Sequence, residues 1–510
     1  MITIKKITYL LVGIILFSSC SKDYLSTKPS SSTATPTIFE TTKNAALAIN
    51  GINVLMTTQL LGTQGFNGEG TIKLYYGIYP GNNTSINLPG WASIINGTFR
   101  ENVSSIYLYY PWYYYYMLIG NANAIITNID NATGSDSEKQ FIKAQALTFR
   151  AYSYFMLSQI YCNRWKDSNN GASAGLILRT DTSTDEMPLS TLKETYERVY
   201  KDLDDAIALY AQSGKSRNNN YDPDKNVAYA IYARAAITRA DYAKASAMAV
   251  NAREGYPLMS NDDYKSGFNT PNSEWIWSSY GAADETLYYY SYFAYMAYNG
   301  NGSAARSFPK CITKELFNKI PNGDVRKSLF LDPTGYTYTT STGQAASNTA
   351  LAAKARLMFP NLYPTASIYA YMQFKVSATD LPGVGNLNHF RSSEMYLVEA
   401  EAKYFLNDAT GAQDALIALN KNSGRNPAYT CTATGTNLLD EIKLYRSIEL
   451  WGEGFDWFDL KRWGDSVTRT STANGGSFIP SLAITTGSSE GNNWTWKIPL
   501  RETDYNSALQ

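Results

Sequence analysis

The sequence predicts an all-α protein, in which a scaffold of paired helices carries an irregular, loop-rich lobe. Three observations support this prediction. Long segments repeat apolar residues at spacings of three and four, which is the helical period. A serine or threonine followed three residues later by glutamate marks where such segments begin. Between them lie long stretches rich in Gly, Asn, Ser, Thr, Tyr and Trp, and insertions of this length in a compact domain are usually functional.

The amino terminus has the pattern of a lipoprotein signal peptide over residues 1–19. Two lysines precede an apolar run at residues 9–17. That run is too short to span a bilayer, which needs about 20 apolar residues. Two serines then precede Cys20, in an order that resembles a bacterial lipobox. We therefore expect Cys20 to be lipidated and to anchor the chain in membrane lipid, with ordinary signal cleavage as the alternative.

A polar tether is expected to follow the signal peptide, over residues 20–37, because Ser, Thr, Lys and Pro dominate it and no apolar face can form. The folded body is then predicted to cover residues 38–510. Its cysteines, Cys162, Cys311 and Cys431, are far apart and match neither a disulfide framework nor a metal-binding spacing. We expect buried free thiols, with one disulfide among the three as the alternative.

The clearest helix is predicted over residues 138–162, where apolar residues line one face and lysines the other. Ser135 and Glu138 have the spacing of a capping box ahead of it. A second helix opens with the same spacing at Thr191 and Glu194, and a glycine ends it. Both helices therefore have start signals that are independent of their apolar pattern.

Further along the chain, helical segments come in pairs. Residues 227–239 precede 242–254, and residues 394–405 precede 411–419, with alanines where two helices can approach closely. Helix pairs of this kind resemble tetratricopeptide units, although the pairs are scattered along the chain. The segments assigned to this scaffold are residues 38–61, 104–256 and 391–463.

The remaining segments are assigned to the irregular lobe. Its glycines at Gly65, Gly68 and Gly70 lack the lysine pattern of a phosphate-binding loop, so flexible loops are expected there. A tyrosine run at residues 113–116 belongs to the scaffold and is expected to be mostly core, because it follows Pro111 and precedes an apolar stretch. The segments of the lobe are residues 62–103, 257–390 and 464–499.

Composition excludes several classes of function. Lys+Arg and Asp+Glu both number 44, so no strong positive field favours nucleic acid as a partner. His389 is the sole histidine. A zinc site with several histidines and a glutamate–histidine di-iron site are therefore excluded, as is any serine–histidine–aspartate triad that does not contain His389. A surface or hydrogen-bonded histidine is expected at this position. We expect no catalytic residue, no metal and no cofactor.

One group of carboxylates could suit glycoside hydrolysis, which needs a pair of them. Arg446, Lys461 and Arg462 lie nearby in sequence to neutralise these groups. Structural ion pairing is therefore the expected role, and an anchored glycoside hydrolase is the weaker alternative. The carboxylates are Glu449, Glu453, Asp456 and Asp459.

Several short stretches are distinctive in combination. They are residues 20–25 (CSKDYL) ahead of Pro29, residues 144–152 (AQALTFRAY), Arg391 with residues 394–402 (EMYLVEAEA), residues 449–454 (ELWGEG) with residues 459–463 (DLKRW), and residues 498–500 (IPL) with Glu502 and Asn506. Together these stretches resemble the SusD/RagB family of Bacteroidetes nutrient-uptake lipoproteins, over nearly the whole mature chain. Two positions depart from the family pattern: Tyr445 stands where Glu is frequent and Asp456 where Arg is frequent. The salt-bridge cluster around them is therefore expected to be rewired.

The resemblance implies that ligand contacts come from loops of the irregular lobe. An oligosaccharide presents apolar C–H faces and hydroxyl edges, so flat rings flanked by amide and charged groups suit it. Trp275 and Trp277 alternate, and in an extended segment they would point the same way and form one platform. Plain packing is the alternative for each candidate. The candidate ligand-binding residues are Asn82, Asn83, Trp91, Trp275, Trp277, Tyr288, Tyr289, Tyr290 and Arg306.

The function implied by the resemblance is non-catalytic binding of an oligosaccharide or oligopeptide nutrient at the cell surface. The chain would be lipid-anchored to the outer membrane, would face the cell exterior, and would deliver its ligand to a SusC-like TonB-dependent transporter. The rival from another class is a protein-interaction scaffold, a common role of tetratricopeptide repeats.

Overall fold

The computed structural model describes residues 35–62, 65–281, 290–487 and 494–509. The predicted signal peptide, Cys20 and most of the predicted tether lie outside the described residues. The described chain is mostly helical, which confirms the predicted all-α class. Its longer helices are α1 (Thr42–Leu55), α2 (Ile106–Asn128), α3 (Asp136–Tyr161), α4 (Leu192–Ser213), α5 (Lys225–Thr238), α6 (Tyr242–Ala252), α7 (Ala350–Met358), α8 (Ser392–Phe405), α9 (Ala409–Ile417), α10 (Gly435–Glu449) and α11 (Asp456–Trp463).

The strands of the described residues are short and pair two by two in antiparallel ribbons. The pairs are β1 with β3, β2 with β6, β4 with β5, and β7 with β8. The β1–β3 and β2–β6 ribbons join segments more than one hundred residues apart, so they fasten distant parts of the lobe to one another. Their bounds are β1 (Thr84–Ser85), β2 (Trp275–Ser279), β3 (Cys311–Ile312), β4 (Gln344–Ala345), β5 (Ile368–Tyr369), β6 (Leu387–Arg391), β7 (Val467–Thr468) and β8 (Thr485–Thr486).

The predicted helix starts are confirmed atom by atom. The Ser135 hydroxyl accepts from the backbone N–H of Glu138, whose carboxylate accepts from the N–H of Ser135, so a complete capping box begins α3. Thr191 and Glu194 form the same box at α4. Gly214, with a φ of 62°, ends α4 in the left-handed conformation that glycine adopts without strain.

The scaffold is continuous in space although it is broken in sequence. Helix α3 packs between α2 and α4, α5 packs on α6, and α8 packs on α9. Helix α6 also packs on α8, which joins the two pairs across the intervening lobe. The alanines expected at the crossings are buried, because a methyl group lets two helix backbones approach closely. They are Ala228, Ala235, Ala236, Ala245, Ala249, Ala252, Ala400, Ala402, Ala412 and Ala415.

Part of the lobe is helical and buried, in contrast to the expected flexible loop. A short helix, Gly68–Thr71, continues directly into a π-helix, Ile72–Ile78, whose residues are all buried. Gly68 has a φ of 44°, and a Cβ placed on it would lie 2.0 Å from the carbonyl oxygen of Met56. Glycine is needed there for close approach of two backbones, so its role is packing and not flexibility.

Part of the lobe, between residues 311 and 374, has a small core of its own. Helix α7 and the β4–β5 ribbon pack around Leu331, Leu351, Ile368 and Phe374. This core supports the loop between residues 338 and 343. Among the described residues, none of the helices combines the length and the apolar character needed to cross a bilayer.

Candidate functional site

The structure places Trp275 and Trp277 in the interior, so the platform predicted from them is wrong. Both side chains are 0% exposed. A β-bulge between them changes the pairing of β2 with β6, and the alternation that would align the rings is lost. Trp275 packs with Tyr264 and Phe268, whereas Trp277 joins the main core. The Trp277 indole N–H donates to the carbonyl of Tyr221 at 2.8 Å, as buried indoles usually require a partner.

Trp91 is the candidate tryptophan that remains at the surface. It ends a 3₁₀ turn, Pro89–Trp91, and is partly exposed. Its ring meets Tyr75 edge-on, with centroids 6.0 Å apart and planes at 84°, and meets Tyr295 at 5.5 Å and 48°. The hydroxyls of Tyr75 and Tyr295 are 3.4 Å apart. We call Trp91, Tyr75 and Tyr295 the Trp91 patch.

The tyrosines of the Trp91 patch were not among the residues selected from the sequence. Tyr75 lies in the π-helix and stacks on Tyr79, with ring centroids 5.9 Å apart. Burial raises the pKa of Tyr75 well above its ordinary value and that of Tyr295 to about 12. Both hydroxyls are therefore neutral at physiological pH. Tyr75 and Tyr79 are four residues apart, which is the spacing of one helix face, and this spacing is the sequence signal that an irregular assignment of residues 62–103 overlooks.

A second glycine explains how the two halves of the Trp91 patch meet. A Cβ on Gly70 would lie 3.2 Å from the Cβ of Tyr292 and 3.3 Å from its backbone nitrogen. The short helix Tyr292–Met296, which carries Tyr295, therefore packs directly on the segment that leads to Tyr75. π-Helical segments are frequent at functional sites, and this one presents a ring towards Trp91.

Beneath the π-helix lies a buried carboxyl group that the sequence analysis did not single out. Glu69 accepts hydrogen bonds from the hydroxyls of Tyr152 at 2.6 Å, Tyr114 at 3.2 Å and Tyr115 at 3.1 Å. Burial raises its pKa, against the effect of these donors. Tyr114 and Tyr115 are fully buried, which confirms that the run at residues 113–116 is mostly core. The network fixes the base of the π-helix.

Asn82 and Asn83 line an open cleft of about 480 Å³ between lobe and scaffold. Their amide groups are engaged by protein partners. The Asn82 amide donates to the carbonyl of Ser466 at 3.0 Å, and its oxygen accepts from the N–H of Thr468 at 2.8 Å. Asn83 donates to Asp456 from its backbone and from its side chain. These residues fasten the lobe to the scaffold at the edge of the cleft.

The other candidates are spread over the lobe. Tyr290 is partly buried near Tyr295, next to the Trp91 patch. Arg306 ends a short helix and is partly buried, and its carbonyl accepts from the N–H of Ser367 at 2.8 Å. Tyr288 and Tyr289 lie outside the described residues. Of the described candidates, the structure therefore brings Trp91 and Tyr290 to one region, around Tyr295.

Structural ion pairing of Glu449 and Glu453 is confirmed. Arg391 contacts Glu449 and Glu453 at 2.7 Å each, and Arg326 contacts Glu449 at 2.8 Å. Lys375 contacts Glu453 at 2.6 Å. Burial opposes ionisation of Glu449, but the surrounding guanidinium groups outweigh it and lower its pKa. Carboxylates held by buried cations in this way are committed to structural ion pairs.

Asp459 is also ion-paired, with Arg446 at 2.7 Å and Arg462 at 2.8 Å. Lys461 is an exception to the expected neutralising role, because its ammonium group donates to the carbonyls of Gln159 and Cys162, at 2.6 and 2.8 Å. This geometry ties α11 to the end of α3 through backbone acceptors.

The ion pairing expected for Asp456 is wrong, because among the described residues Asp456 forms no salt bridge and accepts hydrogen bonds from Asn83 instead. Tyr445 also lies outside the ion-pair network of the described residues. Burial raises the pKa of Asp456 to about 7. The ring of Tyr445 faces the guanidinium of Arg326, 5.2 Å from its centroid. Tyr445 thus places an aromatic ring beside Arg326, where an acidic residue would place a negative charge.

His389 is buried and hydrogen-bonded, as expected for a structural histidine. Its Nε2 lies 2.6 Å from the hydroxyl of Ser279, and burial lowers its pKa well below the ordinary value. Cys162, Cys311 and Cys431 are buried free thiols, which confirms the expectation and excludes the disulfide. Within the described part of the chain, no group of three or more His, Cys, Asp or Glu side chains is arranged to hold a metal ion.

Two family models match the chain. The model described as "Starch-binding associating with outer membrane" matches residues 73–237, and the model of the SusD family matches residues 211–508. Together they cover the Trp91 patch, the paired helices and the ion-paired carboxylates Glu449 and Glu453. A search of curated proteins finds no match.

Solved structures share the fold at low sequence identity. A SusD-like carbohydrate binding protein from Bacteroides vulgatus aligns with a TM-score of 0.73 and 23% identity, over 92% of this chain and 97% of its own. A SusD superfamily protein from Bacteroides thetaiotaomicron aligns with a TM-score of 0.72 and 23% identity, over 92% and 99%. A SusD superfamily protein from Bacteroides fragilis gives 0.69 and 18%, over 93% and 100%.

The family match covers more than half of the chain, and it includes the segment with Arg391, Glu449 and Glu453, whose side chains form the buried cage. The fold agrees over nearly the full length of the solved structures. The chain belongs to the SusD family.

Proposed function

We propose that this protein is a non-catalytic, cell-surface glycan-binding lipoprotein that captures an oligosaccharide at the Trp91 patch and delivers it to a SusC-like TonB-dependent transporter. The observation that carries the proposal is the partly exposed ring of Trp91, held by ring contacts to Tyr75 and Tyr295. A ring with fixed orientation can stack on the apolar face of a sugar without losing much conformational entropy.

A sugar suits the Trp91 patch better than a peptide. Tyr75 and Tyr295 are buried and hydrogen-bonded to each other, so they support the ring of Trp91, whose exposed part can stack on the apolar face of a sugar. The family model described as starch-binding covers the segment with Tyr75 and Trp91. The related Bacteroides vulgatus protein carries the name of a carbohydrate binding protein. An oligopeptide remains the alternative ligand, and it would require backbone partners along a groove.

The absence of catalysis is part of the proposal. Glu449, Glu453 and Asp459 are committed to arginine and lysine partners inside the protein. A glycoside hydrolase needs one carboxyl group that can donate a proton and a second that faces the sugar. In the proposed function the chain therefore binds and releases an unchanged oligosaccharide.

Anchoring and delivery complete the proposed function. Acylated Cys20 would hold the chain in the outer membrane, and the tether up to residue 37 would reach about 55 Å if fully extended. With that reach, the body would sit as a lid on the extracellular face of the transporter, with the lobe turned towards it. A lid of this kind needs a broad, polar-edged interface that can still open.

The proposed function is tested with the full chain carrying Cys20→Ala, which keeps the protein soluble for titration. Calorimetry against a panel of neutral oligosaccharides, acidic oligosaccharides and oligopeptides should give a signal with at least one oligosaccharide and no release of reducing ends. A signal with peptides alone would replace the glycan with a peptide. Binding to no member of the panel would contradict ligand capture and favour a protein-interaction scaffold.

Delivery is tested separately, by purifying the transporter from membranes of the native host and probing for this protein. A complex with the lobe facing the transporter is the expected result. If the lobe faces solvent, or if the two proteins do not co-purify, the lid is refuted while surface capture of glycan still stands.

A further inference from the structure

The lobe contains a second cleft, of about 160 Å³, between the loop at residues 338–343 and the turn at residues 472–477. The β1–β3 ribbon and the end of β5 close its base. Side chains with hydroxyl, amide or ring groups make up much of its lining. They include Asn87, Tyr338, Thr340, Thr342, Tyr371 and Ser477.

Hydrogen bonds fasten the walls of this cleft to each other. The hydroxyl of Thr472 donates to the carbonyl of Ser341 at 2.9 Å, which joins the two loops. The N–H of Ala370 donates to the carbonyl of Gly343 at 2.8 Å. Ser477 accepts from the backbone N–H of Lys314 at 2.7 Å. Loops bound in this way present a shaped surface before any ligand arrives.

Tyr371 occupies a strained position in the cleft. Its φ is 63°, in the left-handed region that a bulky residue adopts only when its surroundings compel it. The N–H of Tyr371 donates to the carbonyl of Leu331 at 2.9 Å, and its own carbonyl accepts from Ile312 at 3.1 Å. The ring rests on Phe317, with centroids 5.2 Å apart. This backbone holds a partly exposed ring and its hydroxyl at the wall, next to the hydroxyl of Tyr338.

The chemistry of the lining selects the class of ligand. No carboxylate lines the cleft among the described residues, and Lys314 is the charged side chain present. Hydroxyls, one amide and three tyrosine rings match the edges and faces of a neutral sugar. The volume of about 160 Å³ equals that of about five waters at roughly 30 Å³ each, which is enough for a small polar ring.

The cleft and the Trp91 patch are close along the chain. Asn87 lines the cleft and Trp91 follows it by four residues, so their Cα atoms are separated by at most about 14 Å. A single oligosaccharide of several sugar units could contact both. We propose that the Tyr338–Tyr371 cleft is a second glycan subsite, which binds a neutral sugar unit of the oligosaccharide held at Trp91. This inference rests on the proposed function.

Titrations with maltoheptaose, cellohexaose and mannohexaose, each beside its disaccharide, test the subsite in the full chain with Cys20→Ala. For the oligosaccharide that binds, Tyr338→Ala should weaken the affinity about five-fold or more, because a stacking ring is lost. The disaccharide should bind Tyr338→Ala as tightly as it binds the unaltered chain, because it is too short to reach from Trp91 into the cleft. The matched control is Tyr336→Ala, which changes an exposed tyrosine of the same loop that does not line the cleft.

A second, more conservative variant tests the subsite in case Tyr338→Ala does not fold. Thr340→Val removes one hydroxyl of the lining with little change in shape, and it should weaken the longer oligosaccharide about two-fold or more. If Tyr338→Ala and Thr340→Val both bind it as tightly as Tyr336→Ala, the subsite is overturned, while a loss on Trp91→Ala would leave the proposed function in place. If the unaltered chain binds none of the three oligosaccharides, the subsite fails, and the wider panel alone decides the proposed function.

Discussion

The carboxylate of Asp456 accepts two hydrogen bonds from Asn83, from the backbone N–H at 2.7 Å and from the side-chain amide at 2.8 Å. Asp456 begins α11 of the scaffold, and Asn83 directly precedes β1 of the lobe. The carbonyl of Asn83 also accepts from the indole N–H of Trp451 at 2.9 Å. A single residue of the lobe is thus held by three hydrogen bonds to two residues of the scaffold.

This contact predicts a pH dependence of stability. Burial raises the pKa of Asp456 from its ordinary 3.8 to about 7, against the opposing effects of Asn83 and Arg469. Between these two values the unfolded chain has lost a proton that the folded chain keeps, so stability falls as the pH rises through this window and levels off above it. Asp456→Asn, which is always neutral, should lose this dependence.

Urea unfolding at about pH 5 and about pH 8 measures the effect. Relative to the unaltered chain, Asp456→Asn should gain stability at the higher pH, by up to a few kcal/mol. The control is Asp440→Asn, because Asp440 lines the same cleft but is exposed. A constant difference between Asp456→Asn and the unaltered chain at both pH values would show that Asp456 is ionised in the folded state.

Trp91→Ala should reduce glycan affinity about five-fold or more and leave the melting temperature nearly unchanged. The ring is partly exposed and is expected to stack on the sugar, an interaction typically worth on the order of 1 kcal/mol beyond its buried area. Calorimetry with the oligosaccharide found in the panel measures the loss. Tyr505→Ala is the matched control, since Tyr505 is 83% exposed and lies far along the chain. Equal affinities of the two variants would remove Trp91 from the binding site.

Trp277→Ala should destabilise the protein by about 3–5 kcal/mol, because a large ring is removed from the core. The indole also loses its partner, leaving the carbonyl of Tyr221 without that donor. Chemical denaturation measures the change. Tyr280→Ala is the control from the same segment, because Tyr280 is 49% exposed. A Trp277→Ala variant that is as stable as the unaltered chain but binds glycan more weakly would show that Trp277 contacts the ligand and is not a core residue.

Arg391→Leu should cost about 3–5 kcal/mol of stability. The guanidinium group contacts Glu274, Glu449 and Glu453, and its loss leaves buried carboxylates short of a cation. Lys201→Met is the control, because the Lys201–Asp205 pair is exposed and such pairs contribute about 1 kcal/mol or less. Urea unfolding should separate the two variants clearly. Similar small losses of unfolding free energy in both variants would mean that Glu274, Glu449 and Glu453 remain stable in the interior without the Arg391 cation.

Cys20→Ala should abolish incorporation of a fatty-acid analogue during growth, because the thiol is the proposed site of acylation. The unaltered chain should be labelled and should fractionate with the outer membrane. Cys431→Ala serves as the control for a thiol change elsewhere in the chain, since Cys431 is a buried free cysteine. Equal label in Cys20→Ala and the unaltered chain would place the anchor elsewhere or remove it.

Local signals in the sequence determined the helices. The capping boxes at Ser135 and Thr191 formed as predicted, because each depends on atoms within three residues of one another. The alanine crossings of α5 and α6 and the buried tyrosine run of α2 also followed from period and composition. The family resemblance, carried by short stretches along the chain, was confirmed by the family model.

Only the tertiary structure decided which aromatic rings face solvent. Trp277 is buried because β2 pairs with β6, more than one hundred residues later in the sequence, and a bulge separates it from Trp275. Trp91 remains at the surface because Tyr75 and Tyr295, the latter from a distant segment, occupy the space behind it. Exposure is set by contacts between remote parts of the chain, whereas helical period and caps are set by neighbours. The sequence by itself therefore determined the scaffold, and the tertiary structure decided the site.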